Sequence, residues 1–142
     1  MAVKKHKLEV SMAEDFCLLG MVSDEPDYRL CWMINQQLGM SFEKTDDLTI
    51  QHRKFKKEQL FSMFVFEDEE AMVTYRIIKN RAEVGYFLDE LKNLDYLIHI
   101  QGEIFPDQLS SFVHAANAIE AVRMCVPVNL QKIKNTERLW LW

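Results

Sequence analysis

The sequence predicts an α+β fold, a mostly antiparallel sheet with two helices packed on one of its faces. Three observations carry that prediction. Residues 94–101 alternate strictly, Leu94, Tyr96, Ile98 and Ile100 against Asp95, Leu97, His99 and Gln101, which is the period of a strand with one buried face. Two stretches set apolar residues at helical spacing: Leu30, Cys31, Ile34 and Leu38, then Leu109, Phe112, Val113 and Ala116. Between them lie several strand-like runs joined by short polar turns, an arrangement that favours antiparallel pairing.

In chain order, Lys4 to Val10 reads as a short edge strand or a loose arm whose lysines discourage unwanted pairing. Phe16 to Val22 is almost wholly apolar, as a strand buried on both faces should be. Ser23 or Asp24 then caps the first helix, with Pro26 in its first turn, and Gly39 is its expected C-terminal cap. Asp46-Asp47 marks a turn, and Leu48 to Phe55 reads as a weaker, more polar strand. Leu60 to Phe66 splits its large side chains between two faces, Phe64 and Phe66 against Phe61, Met63 and Val65, and so belongs at the centre of the sheet. Burial of each such side chain is worth roughly 1.5–3 kcal/mol.

Glu67 to Ala71 forms a hairpin turn, and Met72 to Lys79 returns with Val73, Tyr75 and Ile77 on its apolar face. Asn80 and Arg81 turn the chain again, and Val84 to Leu88 reads as one more short strand. The strand beginning at Leu94 ends at Gly102, and Pro106 opens the second helix. Val122 to Val128 alternates as a strand, and Leu130 to Asn135 reads as a helical turn. A strand–helix–strand unit from Leu94 to Val128 requires parallel strands and a right-handed crossover. The whole order is loosely ferredoxin-like or ACT-like.

The stretch Leu88-Asp89-Glu90, three residues, then Leu94-Asp95-Tyr96 resembles the signature of the IPExxxVDY family of small bacterial proteins. Glu90, Asp95 and Tyr96 match that signature, Leu88 and Leu94 are conservative replacements, and Asp89 stands where the signature has proline. An early DF-x-L-x-G run from Asp15 to Gly20, the Asp46-Asp47 pair and the FxxFxFED run from Phe61 to Asp68 extend the likeness over most of the chain. The resemblance implies family membership and no activity.

A chain of 142 residues suits one domain, residues 1–142, burying about two thirds of its unfolded surface. Its net charge of −5 argues against a nucleic-acid-binding domain, which needs a concentrated positive footprint. No run approaches the roughly 18 apolar residues of a membrane span, and MAVKKHKLEV has no apolar core of a secretory signal. Cys17, Cys31 and Cys125 are odd in number and embedded in apolar runs, so they read as reduced core cysteines of a cytoplasmic protein.

Candidate chemistry is sparse. His6, His52, His99 and His114 have no partner at ligand spacing and CxxC is absent, so neither a metal nor another cofactor is expected. Ser110-Ser111 lie within a helix, G-x-S-x-G and a glycine-rich phosphate loop are missing, and Cys17 sits in an apolar strand. Glu90, Asp95, Tyr96 and His99 are the one acid–base constellation. Asp95 and His99, however, are four residues apart along a strand, about 13 Å, too far for a direct hydrogen bond. The structural reading is that Glu90 and Asp95 fix the turn by accepting main-chain N–H groups while the Tyr96 ring packs in the core. The basic run His52 to Lys57 is either a phosphate grip or a charged, solvated edge.

The terminus, with Leu139, Trp140, Leu141 and Trp142 in succession, is either an interface or a segment folded onto its own sheet. If both helices cover one face, the other face needs cover too, and a second subunit is the simplest supply. The expectation is therefore a non-enzymatic protein acting through protein–protein contacts, as a homodimer. The alternatives are a small-molecule-binding or regulatory domain with a polar site at Glu90, Asp95, Tyr96 and His99, or an RNA-associated accessory protein using Arg53, Lys54, Lys56 and Lys57.

Overall fold

The computed structural model describes residues 16–51, 54, 56–134, 136–140 and 142. The expected strand at Lys4 to Val10, together with His6, His52, Arg53, Phe55, Asn135 and Leu141, lies outside the described residues. Among the described residues eight strands and two α-helices follow in order: β1 (Phe16–Val22), α1 (Asp27–Leu38), β2 (Glu43–Lys44), β3 (Leu48–Gln51), β4 (Glu58–Phe61), β5 (Met63–Asp68), β6 (Val73–Lys79), β7 (Tyr96–Gly102), α2 (Pro106–Asn117) and β8 (Met124–Pro127).

Six strands form one sheet in the order β2-β5-β6-β7-β1-β8, with every neighbouring pair antiparallel. The class is α+β, as the hydrophobic pattern predicts. β7 and β8 both run antiparallel to β1 and so point the same way. The crossover through α2 is thus a split one, with β1 lying between its two strands. Four strands of this sheet, β2, β5, β6 and β7, lie between the two helices in the chain.

Both helices cover the same face. Leu30, Cys31 and Ile34 of α1 and Leu109, Phe112 and Ala116 of α2 bury against Cys17, Leu19 and Met21 of β1 and Tyr96, Ile98 and Ile100 of β7. Pro106 opens α2, and the Gln108 side chain accepts the Phe105 N–H. Gly39, at φ 64°, caps α1 in the left-handed conformation that glycine tolerates.

Several local expectations are overturned. Ser23 and Asp24 do not cap α1: Pro26 occupies the cap position, and the Ser23 hydroxyl instead accepts the Glu25 N–H and donates to the Ala121 carbonyl. The Leu60 to Phe66 strand is two strands broken at Ser62, whose carbonyl accepts the Lys79 N–H and whose hydroxyl reaches Asp27. β4 leaves the main sheet and pairs with β3 in a separate hairpin, so β5 lies next to the edge rather than at the centre. Val84 to Leu88 is no strand. Only an Arg81–Tyr86 bridge forms there, because Phe87 and Leu88 donate their N–H groups to the backbone carbonyl and side chain of Asn80.

The face away from the helices is covered by the chain itself. Phe16, Leu18, Met63, Ile78 and Leu97 pack there under Phe61, Phe87, Leu88, Leu94, Ile133 and Leu139. Leu139, offered by the sequence as interface, is 1% exposed. Arg138 holds this segment down by donating to the Tyr86 and Phe87 carbonyls (2.9 and 3.0 Å) and to the Gln59 side chain (2.7 Å). A second subunit is therefore not needed to cover this face.

Candidate functional site

The signature stretch lies at the end of the sheet where β7 begins. Leu88 starts a short 3-10 turn over Asp89–Leu91, and Leu94 leads into β7. Its polar groups do not meet one another. Glu90 Oε2 accepts the Lys134 N–H (2.8 Å) and Asp95 Oδ2 accepts the Ser23 N–H (3.0 Å). The buried Tyr96 hydroxyl donates to the Glu25 carbonyl (2.6 Å). Burial, with the carboxylate of Asp27 adding to it, pushes the Tyr96 pKa above its ordinary value and keeps the group a donor. The carboxylates do accept main-chain N–H groups, as the structural reading holds, but from segments 44 and 72 residues away rather than from their own turn.

The group that shapes the turn itself is Asn80, fully buried. Its Nδ2 donates to the Leu91 and Leu94 carbonyls (2.8 and 3.0 Å), and its Oδ1 accepts the Leu88 N–H (3.0 Å). Its own N–H donates to the Asp95 carbonyl (2.9 Å). One asparagine thus ties both ends of the signature to the end of β6. Sequence reading places Asn80 only in a turn. The available signal was an amide-bearing residue flanked by strand patterns, which does not distinguish a solvated turn from a buried clasp.

Leu94 joins two pieces of the family likeness. A Cβ on Gly20, in the early DF-x-L-x-G run, would collide with the Leu94 side chain. Glycine there leaves room for the Leu94 side chain against β1.

His99 points to the other face of β7, away from Tyr96. It is 1% exposed, stacked on Phe16 (4.5 Å between centroids) and tilted against Trp142 (4.7 Å). Its Nε2 bonds the Leu139 carbonyl at 3.0 Å, which makes it the protonated nitrogen, and Nδ1 has no hydrogen-bond partner among the described residues. Burial, reinforced by the Arg76 charge, lowers its pKa to about 4. Arg76 stands opposite His99 in the β6–β7 register, lies over the Trp142 ring (4.6 Å) and donates to Gln101 (2.8 Å). Trp140 is 47% exposed but sets its edge on Phe16 at 4.9 Å. Asp95 takes no part in this cluster. The four candidate ligand-site groups bond three segments: Asp95 and Tyr96 the loop at residues 23–25, Glu90 Lys134, and His99 Leu139.

Among the described residues no three His, Cys, Asp or Glu side chains converge to hold a metal. Cys17, Cys31 and Cys125 are free and buried, and desolvation pushes each thiol up to about 12, so none is poised as a nucleophile. No helix among the described residues is long and apolar enough to cross a membrane.

Two open clefts flank the start of α1. One, of about 340 Å³, is lined by Asp27, Ser62, Lys79, Arg81 and Glu83 beside the exposed Leu60. Its Asp27 carboxylate is engaged by the Tyr28 N–H and the Ser62 hydroxyl. The other, of about 420 Å³, is lined by Asp24, Glu25, Arg29, Met33, Glu120 and Arg123. Arg29 pairs with Glu25 there (3.0 Å), and Arg123 with Asp24. Between the clefts α1 carries Tyr28, 68% exposed, and one turn on Trp32, 59% exposed. Residue spacing does not single out this pair, because only a fixed inward face reveals which apolar residues of a helix are left outside.

Searches against protein-family models, curated proteins and solved structures each return no match.

Proposed function

We propose that this chain is a non-enzymatic α+β protein that acts through protein–protein contacts, as a homodimer. The observation that carries the reading is the use made of the signature. Glu90, Asp95 and Tyr96 each spend a polar atom on a main-chain group far along the chain, Glu90 on Lys134 and the other two on the loop at residues 23–25. Residues so engaged hold a fold together rather than stand poised as acid, base or nucleophile. Exposed aromatic side chains on α1 supply the kind of surface that protein contacts use. The resemblance to IPExxxVDY proteins fits this reading, since the residues that make it are the ones engaged in the architecture.

Multi-angle light scattering of the full chain across micromolar concentrations tests the proposal. A dimer supports it. A monomer at every concentration refutes the homodimer.

A second reading, a small-molecule-binding domain, draws on the cleft lined by Lys79, Arg81, Asp27, Asp47 and Glu83. Neither cation has a carboxylate within salt-bridge distance among the described residues, and Leu60 offers an apolar wall.

A further inference from the structure

We infer that the outward face of α1 is the surface through which two copies of this chain meet, with Trp32 of each seated against the charged cleft beside α1 of the other. The inference rests on the homodimer reading above and names its surface.

Sheets often associate by adding strands at their edges. Here the β8 edge is occupied: Asn117 Nδ2 donates to the Cys125 carbonyl (2.9 Å) and its Oδ1 accepts the Cys125 N–H (2.9 Å). The last residue of β8, Pro127, has no N–H to offer. At the opposite edge β2 is two residues long, and Asn35 makes the same two-bond clasp on Phe42 just before it (2.7 and 3.0 Å). The face away from the helices lies under the chain's own segments.

What α1 leaves outside is a stripe of tyrosine and tryptophan, with Arg29 beside them. These are the three residue types most enriched at the energetic centres of protein interfaces. Their positions, 28 and 32, place both rings on one side of the helix.

Charge complementarity favours a second copy as the occupant. Two chains of net charge −5 repel each other wherever acid dominates. At this cleft Arg29 and Arg123 face Asp24, Glu25 and Glu120, so the patch is close to balance. In a two-fold contact the same patch meets itself, and the exposed Arg29–Glu25 pair can be exchanged for Arg29 against Glu25 of the partner with no loss of ion pairs. Met33, lining the same cleft, offers sulfur to an incoming indole.

The test is sedimentation equilibrium on the full chain and its variants. Trp32→Ala should weaken the wild-type dimer by about tenfold or more, while Met72→Asn, at an exposed position elsewhere, should not. Arg29→Glu and Glu25→Arg should each weaken self-association, and an equimolar mixture of the two should restore it, because only trans pairing brings opposite charges together again. A wild-type dimer that tolerates Trp32→Ala, or charge variants that do not rescue each other, overturns the α1 surface and leaves the homodimer standing. A wild-type monomer overturns both.

Discussion

Replacing Asn80 by alanine should destabilise this protein more than any change to the charged residues of the signature. Three hydrogen bonds leave with the side chain, to Leu88, Leu91 and Leu94. The Leu91 carbonyl keeps a partner, since it also accepts the Leu94 N–H. The Leu88 N–H and the Leu94 carbonyl lose theirs, and both belong to buried residues. Two orphaned main-chain groups at about 1–3 kcal/mol each give roughly 2–6 kcal/mol. That is a large part of the roughly 5–15 kcal/mol that holds a domain folded. Asn80→Asp can still accept from Leu88 but cannot donate to the two carbonyls, so it should not rescue. Asp95→Ala orphans only the Ser23 N–H and should cost about 1–3 kcal/mol, with Asp95→Asn closer to wild type. Glu90→Gln, at an exposed position, should lie within about 0.5 kcal/mol. Urea denaturation followed by tryptophan fluorescence measures the series. An Asn80→Ala variant that loses less than about 1 kcal/mol, or less than Asp95→Ala, refutes the assignment of Asn80 as the clasp.

Three further outcomes are expected. Because His99 is held neutral with its pKa at about 4 against an ordinary 6.5, the unfolded chain binds a proton between those values and the folded one does not. Stability should thus fall by about 3 kcal/mol as pH drops through that window, and the His99→Gln variant should lack that component in pH-dependent urea titrations. Gly20→Ala forces a methyl into Leu94 and should cost about 1–3 kcal/mol. Leu94→Ala should be less harmful in that background than in wild type, and strict additivity in the double-mutant cycle would argue against the contact. Asn117→Ala frees both main-chain groups of Cys125 on β8; time-dependent aggregation by light scattering should appear at concentrations where wild type stays clear.

Legible in local residue spacing were the α+β class, both helices, and the strands that form at Phe16–Val22, Val73–Lys79 and Tyr96–Gly102. These elements are written in the spacing of side chains along a few turns or pleats, and a buried face imposes that spacing locally. It also carried the inward and outward assignment of Phe64 and Phe66 against Phe61 and Met63. Tertiary structure alone decided the strand order, the break at Ser62, the partners of Glu90 and Asp95, the clasp of Asn80 and the burial of Leu139 on its own sheet. Each of those is a bond or contact between segments far apart in the chain. No local period records which distant main-chain group a carboxylate, an amide or a terminal leucine will find once the sheet has closed.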